Sequence, residues 1–263
     1  MSGFTPVAIV WIVASAIMVC GWLYQRRTRN AGIVDALWSA CMGASAVFYA
    51  LTGSGAVLPR VLVGAMGAIW GLRLAAYIWH RVLHETEDGR YVALRARWND
   101  DQGKFLIFFL AQALFTAIFS LPFWIAAHNP VAEWTVWSVL ALSIWFIALL
   151  GESIADRQLA KFRADPSNKG KTCRQGLWRT SRHPNYFFEW LHWFAYVALS
   201  VGTGAGWVVA SLIGPALMLG TLYWVTGIPY TEKQALRSRG DDYREYQRTT
   251  SPLIPWFPRS SDS

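Results

Sequence analysis

Long apolar runs dominate the chain, and the few polar positions inside them recur at helical spacing. A membrane-spanning helix needs about 20 mostly apolar residues. Seven stretches meet that requirement, roughly 4–24, 31–52, 56–80, 105–127, 132–155, 185–202 and 206–226. The sequence has no internal repeat and no low-complexity tract, so the expectation is an all-α, polytopic membrane helix bundle forming a single embedded domain over residues 1–263. MSGFTPVAIV lacks a positive leading region and is followed by Arg26, Arg27 and Arg29, which predicts a first spanning helix and not a cleaved signal peptide.

Two of these runs carry polar stripes. Arg73, Tyr77, His80 or Arg81, and His84 follow i, i+4, i+7 or i+8, and i+11 on the third. If the sixth begins near Pro184, Asn185, Glu189, His192 and Tyr196 share one of its faces, with Phe187, Phe188, Trp190, Leu191 and Phe194 largely elsewhere. Asp35 falls about one turn inside the second run, and Glu152 and Asp156 share a face of the fifth. Charged groups near hydrocarbon need partners or water, which makes Asp35 and Glu189 candidate partners of Arg73. Taken singly, each residue reads as an interfacial anchor or an internal pair. Taken together, they read as a cavity in one half of the bundle. The fourth run has only Gln112 as a strong polar residue and reads as lipid-facing scaffold.

Composition agrees with the pattern. The chain is 54% hydrophobic, holds 16 Trp and is only 15% charged, against about 25% charged in soluble domains. Its 24 Lys and Arg exceed 16 Asp and Glu by 8. Position explains that excess without a nucleic-acid partner. Residues 26–29, 81–104, 157–182 and 227–259 hold three, five, eight and six basic side chains, and the connections near 53–55, 128–133 and 202–206 hold none. By the positive-inside rule the N-terminus is outside and the C-terminus cytoplasmic. Cys20, Cys41 and Cys173 have no metal-ligand spacing, and the first two lie in apolar runs.

The connections are structured in their own right. HETEDGRYVALRARWNDDQGK predicts a short interfacial helix, and Pro166 stops the fifth helix near Asp165. Glu232 opens a short amphipathic helix followed by Tyr243 and Tyr246. A membrane-side cavity below a cationic rim suits an apolar substrate and an anionic, water-soluble cofactor.

GLWRTSRHPNYFFEWL and GIPYTEKQALRSRGDDYREYQRTTSPLIPW resemble a bacterial membrane family whose C-terminal region is similar to steroid 5α-reductases and sterol reductases. The resemblance is strongest over 150–258, and NAGIVDALW and WGLRLAAYIWHR extend it. It implies seven spanning helices in a bacterial cytoplasmic membrane and NADPH-dependent reduction of a carbon–carbon double bond in a lipophilic substrate. Asn185 and Glu189 match the reductases' cofactor-contacting Asn-x-x-x-Glu element, with His183 and Tyr186 inside the same RHPNY motif. Asp156 aligns with a cofactor-binding Asp, Lys171, Arg179 and Arg182 sit where cations meet phosphates, and Glu232 and Tyr246 match the closing motif. No Gln-Glu dipeptide precedes the third run, so Asp35 is the nearest acidic equivalent, and Tyr77 lies four residues before Arg81. Tyr77, Asp35 and Arg73 are then the candidate catalytic residues, with Arg73 favouring the phenolate and Asp35 hydrogen-bonding the phenol. RHP-x-Y and the Glu…Gly…Tyr-x-x-Tyr pattern are shared with isoprenylcysteine carboxyl methyltransferases, so S-adenosylmethionine-dependent methyl transfer is the alternative.

Overall fold

A computed structural model describes residues 3–225 and 227–259. Every regular element among them is helical: α1 Thr5–Thr28, α2 Ile33–Thr52, α3 Val57–His84, α4 Gly89–Arg97, α5 Gln102–Phe119, α6 Leu121–Ala126, α7 Val136–Ala164, α8 Pro184–Leu199, α9 Ala205–Ser211, α10 Ile213–Gly220, α11 Ile228–Arg239 and α12 Asp241–Thr249. A π turn, Thr221–Val225, follows α10. Among the described residues, six spans are long and apolar enough to cross a membrane: Thr5–Thr28, Ile33–Thr52, Val57–His84, Gln102–Ala126, Val136–Ala164 and Ala205–Arg239. The protein is a multi-pass membrane protein.

The expected sixth run is the one that falls short of this length. Helix α8 has 16 residues, or about 24 Å at the α-helical rise against a hydrocarbon core of about 30 Å. The expected last run is broken into α9, α10 and the π turn. Pro166 ends α7 as expected, and the Asp165 side chain accepts from the Ser167 amide at 2.9 Å. The interfacial helix is α4, capped by Asp88 through the Arg90 amide.

Contacts divide the chain into two compact units, 1–139 with 196–214, and 140–195 with 215–263. In the first, α1 packs on α2 and α5, and α2 packs on α3. Met18, Ile33, Val34, Phe105 and Phe109 are sealed within that packing. Helix α5 is therefore core along one face, not scaffold facing lipid alone. Its aromatic side chains are as apolar as lipid tails, so hydrophobicity could not show which face is covered.

Close approach holds α2 against α3. In lipid, helices associate through small residues that let backbones meet. A Cβ on Gly71 would stand 2.7 Å from the Gly43 Cα and 2.8 Å from the Ser39 carbonyl oxygen, and one turn earlier a Cβ on Gly67 would meet that of Ala46 at 2.3 Å. The connections without basic residues meet at one end of the same unit. The Gly55 and Ala56 amides donate to the Ala127 and Asn129 carbonyls at 3.1 and 2.8 Å. The Asn129 side-chain amide donates to the Leu199 and Val201 carbonyls at 2.7 and 2.9 Å. The C-terminus of α8 thus lies at the end shared by the other two neutral connections.

In the second unit, α11 packs on α12 and on the π turn. Ala235, Tyr243 and Tyr246 form a small core there.

Gly71→Ala forces backbone against backbone and should destabilise the protein by about 1–3 kcal/mol, read as a lowered midpoint of thermal unfolding in detergent. An unchanged midpoint would show that the α2–α3 crossing can relax. Reporter fusions after Gly55 and after Asn129 should both report the side opposite the basic connections. A cytoplasmic signal from either breaks that topology.

Candidate functional site

The loop 165–183, the start of α8, and α11 and α12 all belong to the second unit. The loop is bolted to α7 by polar side chains. Gly176 adopts φ +57, and a Cβ there would lie 2.3 Å from the Gln158 side-chain nitrogen. That close approach lets Gln158 Oε1 accept from the Leu177 amide at 2.9 Å. The Trp178 indole donates to the Ala155 carbonyl at 2.9 Å.

From the other side the loop is gripped by α12 and the chain beyond it. The Tyr246 hydroxyl donates to the Trp178 and Ser181 carbonyls, the latter at 3.0 Å. Burial raises the Tyr246 pKa, with Tyr243 adding to it, so the phenol stays a donor. Ser181 Oγ donates to the Leu253 carbonyl at 2.7 Å and accepts from the His183 amide at 3.1 Å.

Arg182 and Glu232 form the centre of this clamp. Arg182 Nε donates to Glu232 Oε1 at 2.6 Å, and Nη1 donates to the Gln247 and Thr250 carbonyls at 2.9 and 2.7 Å. Gln247 Nε2 donates to the other Glu232 oxygen at 2.6 Å. The Arg182 and Glu232 side chains are only 11% and 13% exposed. Both are therefore engaged in holding the loop. Next to them, His183 stacks on Tyr186 with ring centres 5.2 Å apart, and its Nε2 lies 3.3 Å from Glu232 Oε1. The Tyr186 hydroxyl is 3.3 Å from Thr231 Oγ1.

The chemistry that stays available is at the margins of the clamp. Asn185, at the start of α8, donates from Nδ2 to Asp156 Oδ1 on α7 at 3.2 Å. Glu189 lies one turn further along α8, half-buried, and His192 and Tyr196 continue the face fully buried. Lys171 and Arg179 are exposed and, among the described residues, have no salt bridge. Every residue expected to contact a cofactor lies in this second unit.

The three expected catalytic residues lie in the first unit. Asp35 accepts from Tyr91 Oη at 2.8 Å and from Arg90 Nη2 at 3.1 Å. The phenol held by Asp35 is thus Tyr91 and not Tyr77, which is 51% exposed on α3. Burial and the Asp35 charge, opposed by Arg90, push the Tyr91 pKa up and make it a poor acid. Arg73 is half-buried on α3, one turn before Tyr77. Gln158, Ser181, Arg90 and Tyr91 escaped the sequence reading because each acts across a loop, and only Gly176 hinted at such a contact.

The family described as "Protein of unknown function (DUF1295)" matches residues 21–250. The chain belongs to that family. It is also similar to "Uncharacterized protein C594.04c" of the yeast Schizosaccharomyces pombe, with 24% identity over 89% of this chain and 75% of the relative. No solved structure matches the chain. The DUF1295 match takes in the clamp, the Asn185–Asp156 pair and the Asp35 cluster together.

His183 supplies a test of the clamp. Burial lowers its pKa from the usual 6.5, against the pull of Glu232. The unfolded chain therefore takes up this proton first, so the histidine's contribution is complete above about pH 6.5 and is lost as the pH falls through the folded pKa. The thermal midpoint should fall between about pH 7 and about pH 5, and His183→Gln should remove part of that fall. Superimposable pH profiles would remove His183 from the effect.

Proposed function

We propose that this DUF1295 protein is a membrane-embedded, NADPH-dependent reductase of a carbon–carbon double bond in an apolar, steroid- or isoprenoid-like substrate, with its basic connections on the cytoplasmic side. The observation that carries the reading is the Asn185–Asp156 pair at the mouth of α8, beside a clamped loop that displays Lys171 and Arg179. An amide and a carboxylate held together suit the hydroxyl and carboxamide groups of a nicotinamide nucleotide. Two unpaired cations suit its phosphates, as Arg and Lys do when they make charge-assisted bonds.

In this reading NADPH supplies the hydride. Asn185, Asp156 and Glu189 orient it, Lys171 and Arg179 neutralise its phosphates, and the clamp of Arg182, His183, Glu232 and Tyr246 fixes the loop that carries them. Tyr186 stacks on His183 and steadies the start of α8. Asp35, engaged by Arg90 and Tyr91, is better placed to organise α4 than to deliver a proton.

The methyltransferase alternative shares part of this site. The RHP and Glu232 elements common to both families spend their hydrogen bonds on each other, so they do not discriminate between cofactors. Thermal unfolding of the purified protein with NADPH, NADH and S-adenosylmethionine separates the two. NADPH should raise the midpoint more than NADH, and Lys171→Ala or Arg179→Ala should each weaken NADPH binding roughly ten- to a hundredfold. Stabilisation by S-adenosylmethionine without NADPH would assign methyl transfer instead.

A further inference from the structure

A second polar site lies in the first unit, where the start of α2 and the end of α3 meet α4. A cleft enclosing ≈ 70 Å³ is lined by Asn30, Asp35, Arg81, Thr86, Asp88, Arg90 and Tyr91. A water needs about 10–15 Å³ on this measure, so the cleft has room for a small polar group. It is framed by two arginines and two aspartates, and their hydrogen bonds show which chemistry is left over.

The acceptors are occupied. Asp35 takes the Tyr91 hydroxyl on one oxygen and Arg90 Nη2 on the other. Asp88 Oδ1 takes the Arg90 amide and Nε at 2.9 and 3.1 Å, and Oδ2 takes Arg81 Nη2 at 3.1 Å. Asn30 Oδ1 accepts from the Gly32 amide at 3.0 Å, and its Nδ2 donates to the Val82 carbonyl at 3.2 Å. The donors are not exhausted. Among the described residues, the Nη1 groups of Arg81 and Arg90 and the Thr86 hydroxyl make no hydrogen bond. Glu85 lies 3.5 Å from Arg81 Nε with its side chain 62% exposed, so its charge is turned toward water.

Two guanidinium groups whose positions are set by fixed carboxylates, each with a spare fork nitrogen, present a preorganised donor set. We infer that this cleft binds an oxyanion of the phosphate type through Arg81, Arg90 and Thr86. Arg90 is anchored to Asp35 and Asp88 and packs over the Tyr91 ring at 5.3 Å, so it is held as a rigid wall. Arg81 stands at the end of a membrane-spanning helix with its side chain 36% exposed. The phosphate could be carried by a lipid headgroup or be free in water, and both offer the same acceptors. The inference uses none of the residues assigned to NADPH, and so stands or falls separately from the reductase reading.

The full-length protein in detergent should retain phosphatidylglycerol added as the probe, read as bound-lipid mass by native mass spectrometry. Arg81→Gln should weaken that retention at least roughly tenfold, the loss of one charge-assisted bond. Lys104→Gln, which removes an exposed charge from the same basic stretch, should leave it unchanged. If inorganic phosphate raises the thermal midpoint in an Arg81-dependent way and the lipid is not retained, the oxyanion site stands and its ligand is water-soluble. Equal retention by the Arg81 and Lys104 variants, or neither probe bound by the unaltered protein, overturns the site. Arg81→Lys distinguishes a fold defect, because it keeps the charge and should recover part of the binding.

Discussion

Glu232 is the carboxylate on which the second unit depends. A buried carboxylate is tolerable only where donors replace its lost hydration. Here Arg182 and Gln247 donate to it from two different segments, with the His183 ring beside it. Removing one partner of a buried ion pair typically costs about 3–5 kcal/mol, because the other is left unpaired. That penalty makes the loop geometry all-or-none. Either Glu232 is satisfied and the loop, α11, α12 and the C-terminal strap are registered together, or several polar groups are stranded at once. The exposed Lys171 and Arg179 are displayed from a fixed base as a result.

The first unit uses the same device with other residues. Arg95 pairs with Glu87 and Asp100 at 2.8 and 2.6 Å, and Arg29 also reaches Asp100. With Arg90 on Asp35 and Asp88, these pairs tie the short α4 to the ends of the helices that flank it. Inside the hydrocarbon, cohesion comes instead from close approach of small residues at the α2–α3 crossing. Each region uses the interaction its surroundings make strongest. Ion pairs serve where loops leave the membrane, and close packing serves where water is absent.

How much of this was legible in the sequence follows from the same division. The helical class, the interfacial α4 and the stop at Pro166 could be read directly, since apolar length, mixed charge and a missing amide are local properties. The face shared by Asn185, Glu189, His192 and Tyr196 was equally accessible, because a helix fixes its own periodicity. The partner of Asp35 was not. Tyr77 and Tyr91 are both tyrosines near the same membrane end, and only the docking of α4 decides between them. Arg182 was likewise read as a phosphate contact, because a sequence shows that a cation is present but not that three hydrogen bonds already engage its guanidinium. The length of α8 was missed since apolar residues continue past Leu199 into a turn.

The chain order of the first unit bears on how the protein is made. Residues 196–214 complete a unit whose other parts end at 139. The carbonyls that accept from Asn129 lie 70 and 72 residues later in the chain. At a synthesis rate of about 5–20 residues per second, Asn129 emerges roughly 4–14 s before those carbonyls. During that interval its amide has only water or lipid headgroups for company. The neutral end of the bundle is therefore the last part of the first unit to close, and nascent chains stalled between 139 and 196 expose it.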